Sequence, residues 1–422
     1  MSHSSTLRRL FQAHRPAGLR GRGDKYLDDI AWRLRKFMEQ QHALSDPRLR
    51  LTPENLDQLA LATVEMAEDL HTDTGLWRSL EQYQQVEFGV PLPLVMRSPN
   101  PLLELFDERR FLFFFHTLWR HWLPDLIVAP KHRDLEMLTR NTREFLENEF
   151  ENLPKDSGIR AFLATSNAFG WEVKKKLIWL GCHSYLFRDF FAAYLEEQKT
   201  NPTDIPVTDD FLCQQCTGWM GLGAIDILAA ALDLSSAQRT ELRGWHERHL
   251  AFYHVATLEM TGRRTHTLNV VNVINEQPYR IRLEMENAPF VAGQLIFGSL
   301  IPWRGEWYWS GQQQTYSEFK PDMIGNIKKE FLEKQSLIAC RYCPDLAEKA
   351  RCSVRRQQEK WMAHYGQDLA VFPDGLSLAA EEQRRLKVEF NAANPIHMAD
   401  REERIEMEIV VDCYNEEERH PG

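Results

Sequence analysis

The stretch Tyr279-Arg280-Ile281-Arg282-Leu283-Glu284-Met285-Glu286 decides the fold class of this chain. Apolar and charged residues alternate strictly along it, and a period of two is typical of a β-strand with one buried face. Most of the remaining chain has apolar residues at spacings of three and four, which is the pattern of amphipathic helices. The sequence therefore predicts an α+β protein in which a small β-module is embedded in a mainly helical scaffold.

The β-module is predicted to occupy residues 254–317, with strands at 254–260, 266–274, 278–286, 293–301 and 306–312. Five short strands in about sixty residues are typical of a small antiparallel barrel of the SH3-like or OB-like kind. The regions around it are predicted as a flexible basic arm (1–23), an N-terminal helical domain (24–200), a helical linker domain (201–253), a C-terminal helical region (318–395) and an acidic tail (396–422), which we expect to be disordered. Within these regions we expect long helices over 24–40, 169–198 and 235–252.

Composition, charge and cysteine content limit the classes of protein to which this chain can belong. Hydrophobic residues make up 43% and charged residues 27% of the chain, which are ordinary globular values. The net charge of -10 disfavours a protein that binds nucleic acid over its whole surface. The most apolar run, Phe111–Trp119, is too short to span a membrane, so we expect no membrane partner. Seven cysteines without a secretory signal predict reduced thiols and a cytoplasmic protein.

An aromatic stretch, Ile301-Pro302-Trp303-Arg304-Gly305-Glu306-Trp307-Tyr308-Trp309-Ser310-Gly311, ends the β-module. On a strand Trp307 and Trp309 share one face and Tyr308 points to the other. Large aromatic side chains in strands are usually buried, but an exposed set would form a docking surface. The candidate partner-binding residues are Trp303, Arg304, Trp307, Tyr308, Trp309, Arg280 and Arg282. Because the surrounding charge is mixed, another protein is the expected partner, while nucleic acid bound by the Arg280 and Arg282 face and the basic arm is an alternative.

Two cysteine pairs have the spacing of a zinc site. Cys213 and Cys216, and Cys340 and Cys343, each stand three residues apart, a spacing at which two thiolates can bind the same tetrahedral zinc ion, and together the two pairs would make one four-cysteine site. The two pairs are far apart in the chain, Cys352 competes for the second pair, and buried free cysteine is the commoner state. His246 and His249 share a helical face in this interpretation and lack the His-x-x-x-His spacing of zinc proteases, so interhelix hydrogen bonding is expected for them.

Several local signatures occur together along residues 24–395. They are Asp73–Arg78 with Gly89 and Pro91–Pro93, Asp210–Gln214, Trp219 with Gly221–Gly223 and Ile225–Leu228, Trp245 with Glu247–His249, Gly305–Gly311, and Tyr365–Gly366 with Phe372–Gly375. In these features the chain resembles a family of uncharacterised bacterial proteins that have a helical body and a small β-barrel insert. The resemblance implies a shared architecture and transfers no activity or catalytic residue.

No set of residues in the sequence meets the requirements of a catalytic site. We therefore expect a non-enzymatic protein-interaction or regulatory scaffold. From its type alone, it is expected to be an accessory factor of a bacterial defence (CRISPR-type or other antiviral) or stress-response locus. The alternatives are a nucleic-acid-associated protein and a zinc-dependent enzyme, with zinc as the one cofactor considered.

Overall fold

A computed structural model describes residues 3–17, 21–42, 46–96, 103–124, 126, 128–214, 218–246, 249–311, 313–317, 321–334, 344–366, 377, 380–381 and 384. The predicted acidic tail (396–422) lies outside the described residues. In the described part helices and one β-sheet are combined, so the predicted α+β class is confirmed. None of the described helices is both long enough and apolar enough to cross a membrane.

The helices, in chain order, are α1 His3–His14, α2 Asp24–His42, α3 Pro53–Thr72, α4 Leu76–Phe88, α5 Glu108–Trp122, α6 Arg133–Glu149, α7 Gly158–Leu163, α8 Gly170–His183, α9 Arg188–Glu197, α10 Ile205–Gln214, α11 Ala224–Ala231, α12 Ser236–Arg243, α13 Pro321–Lys334 and α14 Pro344–Tyr365. The strands are β1 His249–Met260, β2 Thr265–Asn272, β3 Pro278–Glu284, β4 Leu295–Trp303, β5 Glu306–Trp309 and β6 Gln314–Tyr316.

Helix α3 lies at the centre of the helical body. It begins at Pro53 because the side chain of Thr52 accepts the N–H of Asn55 and proline suits the first helical turn. Buried residues extend along α3 from Leu56 to Thr72. The apolar run of α5 is also fully buried, so it is a core helix. Helices α10, α11 and α12 contribute buried residues to the same core as α2–α9, across the boundary predicted at residue 200.

Residues 3–14, predicted as part of a flexible basic arm, instead form α1. Leu7 and Phe11 are buried in the helical core, and the indole N–H of Trp179 donates to the His14 carbonyl oxygen at 2.9 Å. His14 Nδ1 lies 3.2 Å from Glu65 Oε1. The prediction was wrong because α1 is held by residues of α3 and α8, which local composition does not show.

Two predicted helices are shorter than expected. The helix predicted over 169–198 is divided into α8 and α9, because Ser184 adopts an extended backbone conformation. The helix predicted over 235–252 ends at Arg243, and β1 already begins at His249. In both places the local sequence is compatible with a continued helix, and tertiary packing ends it.

The sheet has six strands, and their pairings close a ring. β1 pairs with β2, β2 with β3, β3 with β5, β5 with β4, and β4 again with β1, while β6 adds to β4. The β3–β5 contact is parallel, at Ile281 and Trp307, and the other pairings are antiparallel. The prediction of five strands, all antiparallel, was therefore wrong: the sixth strand is only three residues long, and the ring closes through a parallel contact.

The alternation that identified the β-module is confirmed in β3. Tyr279, Ile281 and Leu283 are buried inside the sheet, whereas Arg280 and Arg282 point outward. The interior is completed by residues of β1, β2 and β4, among them Tyr253, Val270 and Ile296. The sheet therefore has its own apolar core beside that of the helical body.

Candidate interaction surface at the helix–sheet junction

Trp303, at the end of β4, attaches the sheet to the helical body. Its side chain is fully buried, and its indole N–H donates to the Asn167 carbonyl oxygen at 3.0 Å. The ring packs edge-on against Trp245 at a centroid distance of 6.0 Å, and the Trp245 indole N–H donates to the Pro302 carbonyl oxygen at 2.7 Å. Trp303 is thus an internal anchor, inaccessible to a partner.

The turn between β4 and β5 is fixed from the helical side. Arg304 and Gly305 both have positive φ, 53° and 77°, which suits a tight two-residue hairpin. The Arg304 backbone N–H donates to Glu241 Oε2 at 2.8 Å, so α12 holds the turn in place. The Arg304 side chain itself is exposed.

The aromatic residues of β5 divide between two cores, as the period of two predicts. Trp307 and Trp309 are half-buried against the sheet core, where Trp307 packs edge-on against Tyr279 at 4.8 Å. Tyr308 points the other way into the helical core. Burial and the Glu306 carboxylate, which accepts its O–H at 2.8 Å, raise the pKa of Tyr308. Packing therefore explains most of the aromatic density of this stretch.

Arg282 occupies a different environment, on the outer face of β3. Its guanidinium lies 4.7 Å above the ring of Phe169 and donates to Glu284 and Glu306. Although its burial would lower the pKa of Arg282, these hydrogen bonds raise it. The side chain is consequently fixed as a cation over an aromatic ring.

Phe169 continues this arrangement into the helical body. Its other neighbour is Trp171 in the first turn of α8, with nearly parallel rings at 9° and centroids 6.3 Å apart. Trp171 is 45% exposed, and Lys175 Nζ lies 6.0 Å from its ring. We call Phe169, Trp171, Lys175, Arg280 and Arg282 the junction surface. It presents a large, oriented aromatic ring to solvent between cations.

Acidic residues lie among the cations of the junction surface. Glu284 and Glu306 pair with Arg282, and Glu172 follows Trp171 directly and accepts the hydroxyl of Ser166 at 2.7 Å. The surface charge is therefore mixed rather than basic. An aromatic and arginine-rich surface of mixed charge has the composition of protein–protein hot spots.

Phe169, Trp171 and Lys175, the helical part of the junction surface, lie in a stretch of the chain that matches a family model. Residues 12–204 match the model of a family described as protein of unknown function (DUF3843). This confirms the likeness to an uncharacterised family. No curated protein and no solved structure matches the chain. The matched region includes Phe169 and Trp171 and ends before the sheet, so Arg282 is contributed from outside it.

A buried cluster formed by α8, α10 and the residue after β5 has the residue types of a catalytic site. The ammonium group of Lys174 pairs with Asp209 and donates to Ser310 Oγ at 3.0 Å, and Ser310 donates to Asp209 Oδ1 at 2.6 Å. All three side chains are buried. Because all three side chains are shielded from solvent and the lysine is paired as a cation, the serine is out of reach of a substrate and the lysine is not set up as a base. The cluster instead ties α8 and α10 to the sheet.

Of the four predicted zinc ligands, only Cys213 lies among the described residues. Cys213 is buried in α10, with its Sγ 3.9 Å from Asp209 Oδ1, while Cys216, Cys340 and Cys343 lie outside the described residues. Within the part of the chain that the structure describes, no three His, Cys, Asp or Glu side chains are grouped to hold a metal ion. Burial raises the pKa of Cys182 to about 12, so that thiol is unreactive at neutral pH.

His246 bears out the expected hydrogen-bonding role. Its Nδ1 lies 2.8 Å from the Cys213 carbonyl oxygen, and its Nε2 lies 3.4 Å from Asp226 Oδ1. It therefore joins α10 and α11. His249 stands in β1, so it does not share a helical face with His246 as predicted.

Of the seven predicted partner-binding residues, the structure brings only some to the surface. Arg280, Arg282 and Arg304 reach it, Trp307 and Trp309 are half-buried, and Trp303 and Tyr308 are internal. Sequence reasoning missed Phe169 and Trp171. Their signal was weak: two aromatic residues flanking Gly170 at a helix start, more than a hundred residues before Arg282.

Proposed function

We propose that the protein is a non-enzymatic interaction or regulatory scaffold whose partner, another protein, docks on the junction surface. The observation that carries this proposal is Trp171, an exposed indole held in place by the parallel ring of Phe169. Tryptophan and arginine dominate binding hot spots, and side chains that are ordered before binding lose less conformational entropy on association. The clamp of Arg282 over Phe169 supplies that order.

A protein partner fits this surface better than nucleic acid does. A nucleic acid whose base stacked on Trp171 would bring its phosphates near Glu172, Glu284 and Glu306. The repulsion between these carboxylates and the phosphates would offset the attraction of Lys175 and Arg282. The remaining support for nucleic acid is the outward position of Arg280 on β3. Binding of single-stranded RNA that weakens steeply with added salt would favour this second candidate.

The proposal is tested by comparing partner binding among matched variants. The full chain, Trp171→Ala and Val86→Ala are each used to capture binding proteins, and the captured protein is then purified for affinity measurement. Val86 is 79% exposed on α4, so its variant removes an exposed apolar side chain away from the sheet. We expect Trp171→Ala to weaken binding by at least about tenfold and Val86→Ala to leave it unchanged. Equal affinities for all three proteins would refute docking at Trp171.

Several broader expectations belong to the same proposal. The closed ring of strand pairings supports our inference that the sheet is a small barrel. The free thiols of Cys182, Cys213 and Cys352 support a reducing, cytoplasmic location. An accessory role in a bacterial defence or stress-response locus stays a prediction from the type of protein. A zinc-dependent enzyme also stays a prediction, which metal analysis of the purified full chain tests.

A further inference from the structure

A second site lies in a cleft between the end of α1 and the start of α2. The cleft has a volume of about 750 Å³, within the range of small-molecule sites. Arg8, Phe11 and Arg15 of the α1 side and Arg22 and Lys25 of the α2 side line it. It is independent of the junction surface and of the function proposed there.

Arg15 supplies the main recognition element of this cleft. Its side chain is 5% exposed, its Nη1 donates to Glu68 Oε2 at 2.6 Å, and the centroid of the Phe11 ring lies 4.1 Å from its Cζ. Nε and Nη2 have no hydrogen-bond partner among the described residues. These two N–H groups form the side edge of the guanidinium, where two parallel donors can bind two oxygens of one anion.

The charges around Arg15 favour an anion. Arg8 is paired with Asp28 at 2.6 Å, and Arg15 is paired with Glu68, so these cations are already balanced. Arg22 and Lys25 make no ion pair with a described residue and are exposed at the rim. One acid, Asp24, also lines the cleft, 3.6 Å from Arg15 Nε. Beyond these two pairs, Arg22 and Lys25 stand against Asp24, so the cleft is net positive in a chain whose net charge is -10.

The start of α2 adds to this preference. This helix has 19 residues, and its first turn lies at the cleft with Lys25 in it. The N-terminal end of a helix carries partial positive charge, which favours an anion. Pro16 and Ala17 also line the cleft and offer apolar contact for the organic part of a ligand. The Nε and Nη2 donors of Arg15, the rim cations and the N-terminal end of α2 all favour the binding of an anion.

We infer that this cleft binds a small organic molecule through its phosphate group. The phosphate would meet the Nε and Nη2 edge of Arg15, and Arg22 and Lys25 would attract its negative charge. The test is calorimetric titration of the full chain with inorganic phosphate, with AMP as a phosphate monoester, and with citrate as an anion that has only carboxylates. We expect the phosphate compounds to bind, AMP more tightly than phosphate because its organic part contacts Pro16 and Ala17.

A double variant and a matched control test the assigned residues. Arg22→Gln with Lys25→Gln removes both rim cations, which are exposed, and Arg263→Gln with Arg264→Gln makes the same charge change in the exposed β1–β2 turn. We expect the first pair to weaken AMP binding by roughly tenfold or more and the second pair to leave it within about twofold. Arg15→Lys keeps a cation beside Glu68 but removes the parallel donors, so it should also weaken AMP binding.

Three results would overturn the inference. One is the absence of binding by both phosphate compounds at millimolar concentration. Another is citrate binding as tightly as AMP, which would assign the cleft to carboxylates. The third is an equal loss of AMP affinity in both double variants, which would indicate attraction by net charge alone. The Arg22 and Lys25 variant decides the matter even if Arg15→Lys fails to fold.

Discussion

Replacement of Lys174 by methionine is expected to destabilise the protein severely. The Lys174 and Asp209 side chains are only 7% and 4% exposed, and both contact Ser310 at the end of β5. Methionine keeps most of the aliphatic volume of lysine, so the packing of α8 changes little. The loss instead comes from Asp209, which is left as a buried carboxylate without its cation.

The size of the effect follows from that unpaired charge. Breaking a buried ion pair by removing one partner costs about 3–5 kcal/mol in the free energy of unfolding. Removing both charges, as in Lys174→Met with Asp209→Leu, should restore the free energy of unfolding to within about 1–2 kcal/mol of the parent. Lys175→Met is the matched control, because Lys175 is exposed on the same helix and its loss should change stability by less than about 0.5 kcal/mol.

Urea unfolding followed by circular dichroism measures all four proteins. The expected order of stability is parent and Lys175→Met together, then the double variant, then Lys174→Met. A loss below about 1 kcal/mol for Lys174→Met, or a double variant no more stable than the single one, would refute the assignment of this cluster as a buried tie between helices and sheet.

Two further changes test packing and buried charge. In Gly170→Ala the new Cβ would lie 2.7 Å from Cδ2 of the buried Tyr308 ring, so we expect a loss of roughly 1–3 kcal/mol, whereas Gly244→Ala meets no atom within 4 Å and should be near neutral. Thermal denaturation compares the two, and equal melting temperatures would contradict the contact. Burial, and then the charge of Arg188, lower the pKa of His14 although Glu65 raises it. The stability contributed by neutral His14 is therefore present above its ordinary pKa of 6.5 and is lost as the pH falls through that value toward the folded pKa. His14→Gln should accordingly lose less stability than the parent between neutral pH and about pH 5 in urea titrations, and an unchanged pH dependence would count against this role.

The sheet was the most predictable part of the fold. The alternation of Tyr279, Arg280, Ile281 and Arg282 predicts which face of the strand is buried. Residues two apart on a strand point to the same face, so the apolar ones all lie on one side. β6 was missed because three residues are too few to show a period. The parallel contact of β3 with β5 depends on ring closure, which no local pattern encodes.

Helix α1 shows what composition conceals. Its arginines suggested a solvated arm, yet Arg8 pairs with Asp28, and Leu7 and Phe11 are buried. The residues that hold it come from α2, α3 and α8, so the information is in tertiary contacts. Basic residues at a terminus can therefore mark a folded cleft as well as a flexible segment.

The junction surface could be predicted only in part. Arg280 and Arg282 were recognised as an outward face of a strand, and the division of Trp307 and Tyr308 between two faces was correct. Trp171 was not recognised, because its significance arises from Phe169 and Arg282, which meet only after folding. The burial of Trp303 likewise depends on Trp245, a residue of a different element.

Site-specific photo-cross-linking in cells that naturally produce the protein tests docking at Trp171 most directly. A photoreactive amino acid is placed at position 171 in one protein and at position 86 in another, since both sites are exposed and lie on different helices. We predict one protein species cross-linked at position 171 and absent at position 86. The same cross-linked species at both positions, or none at position 171, would contradict the proposed docking site.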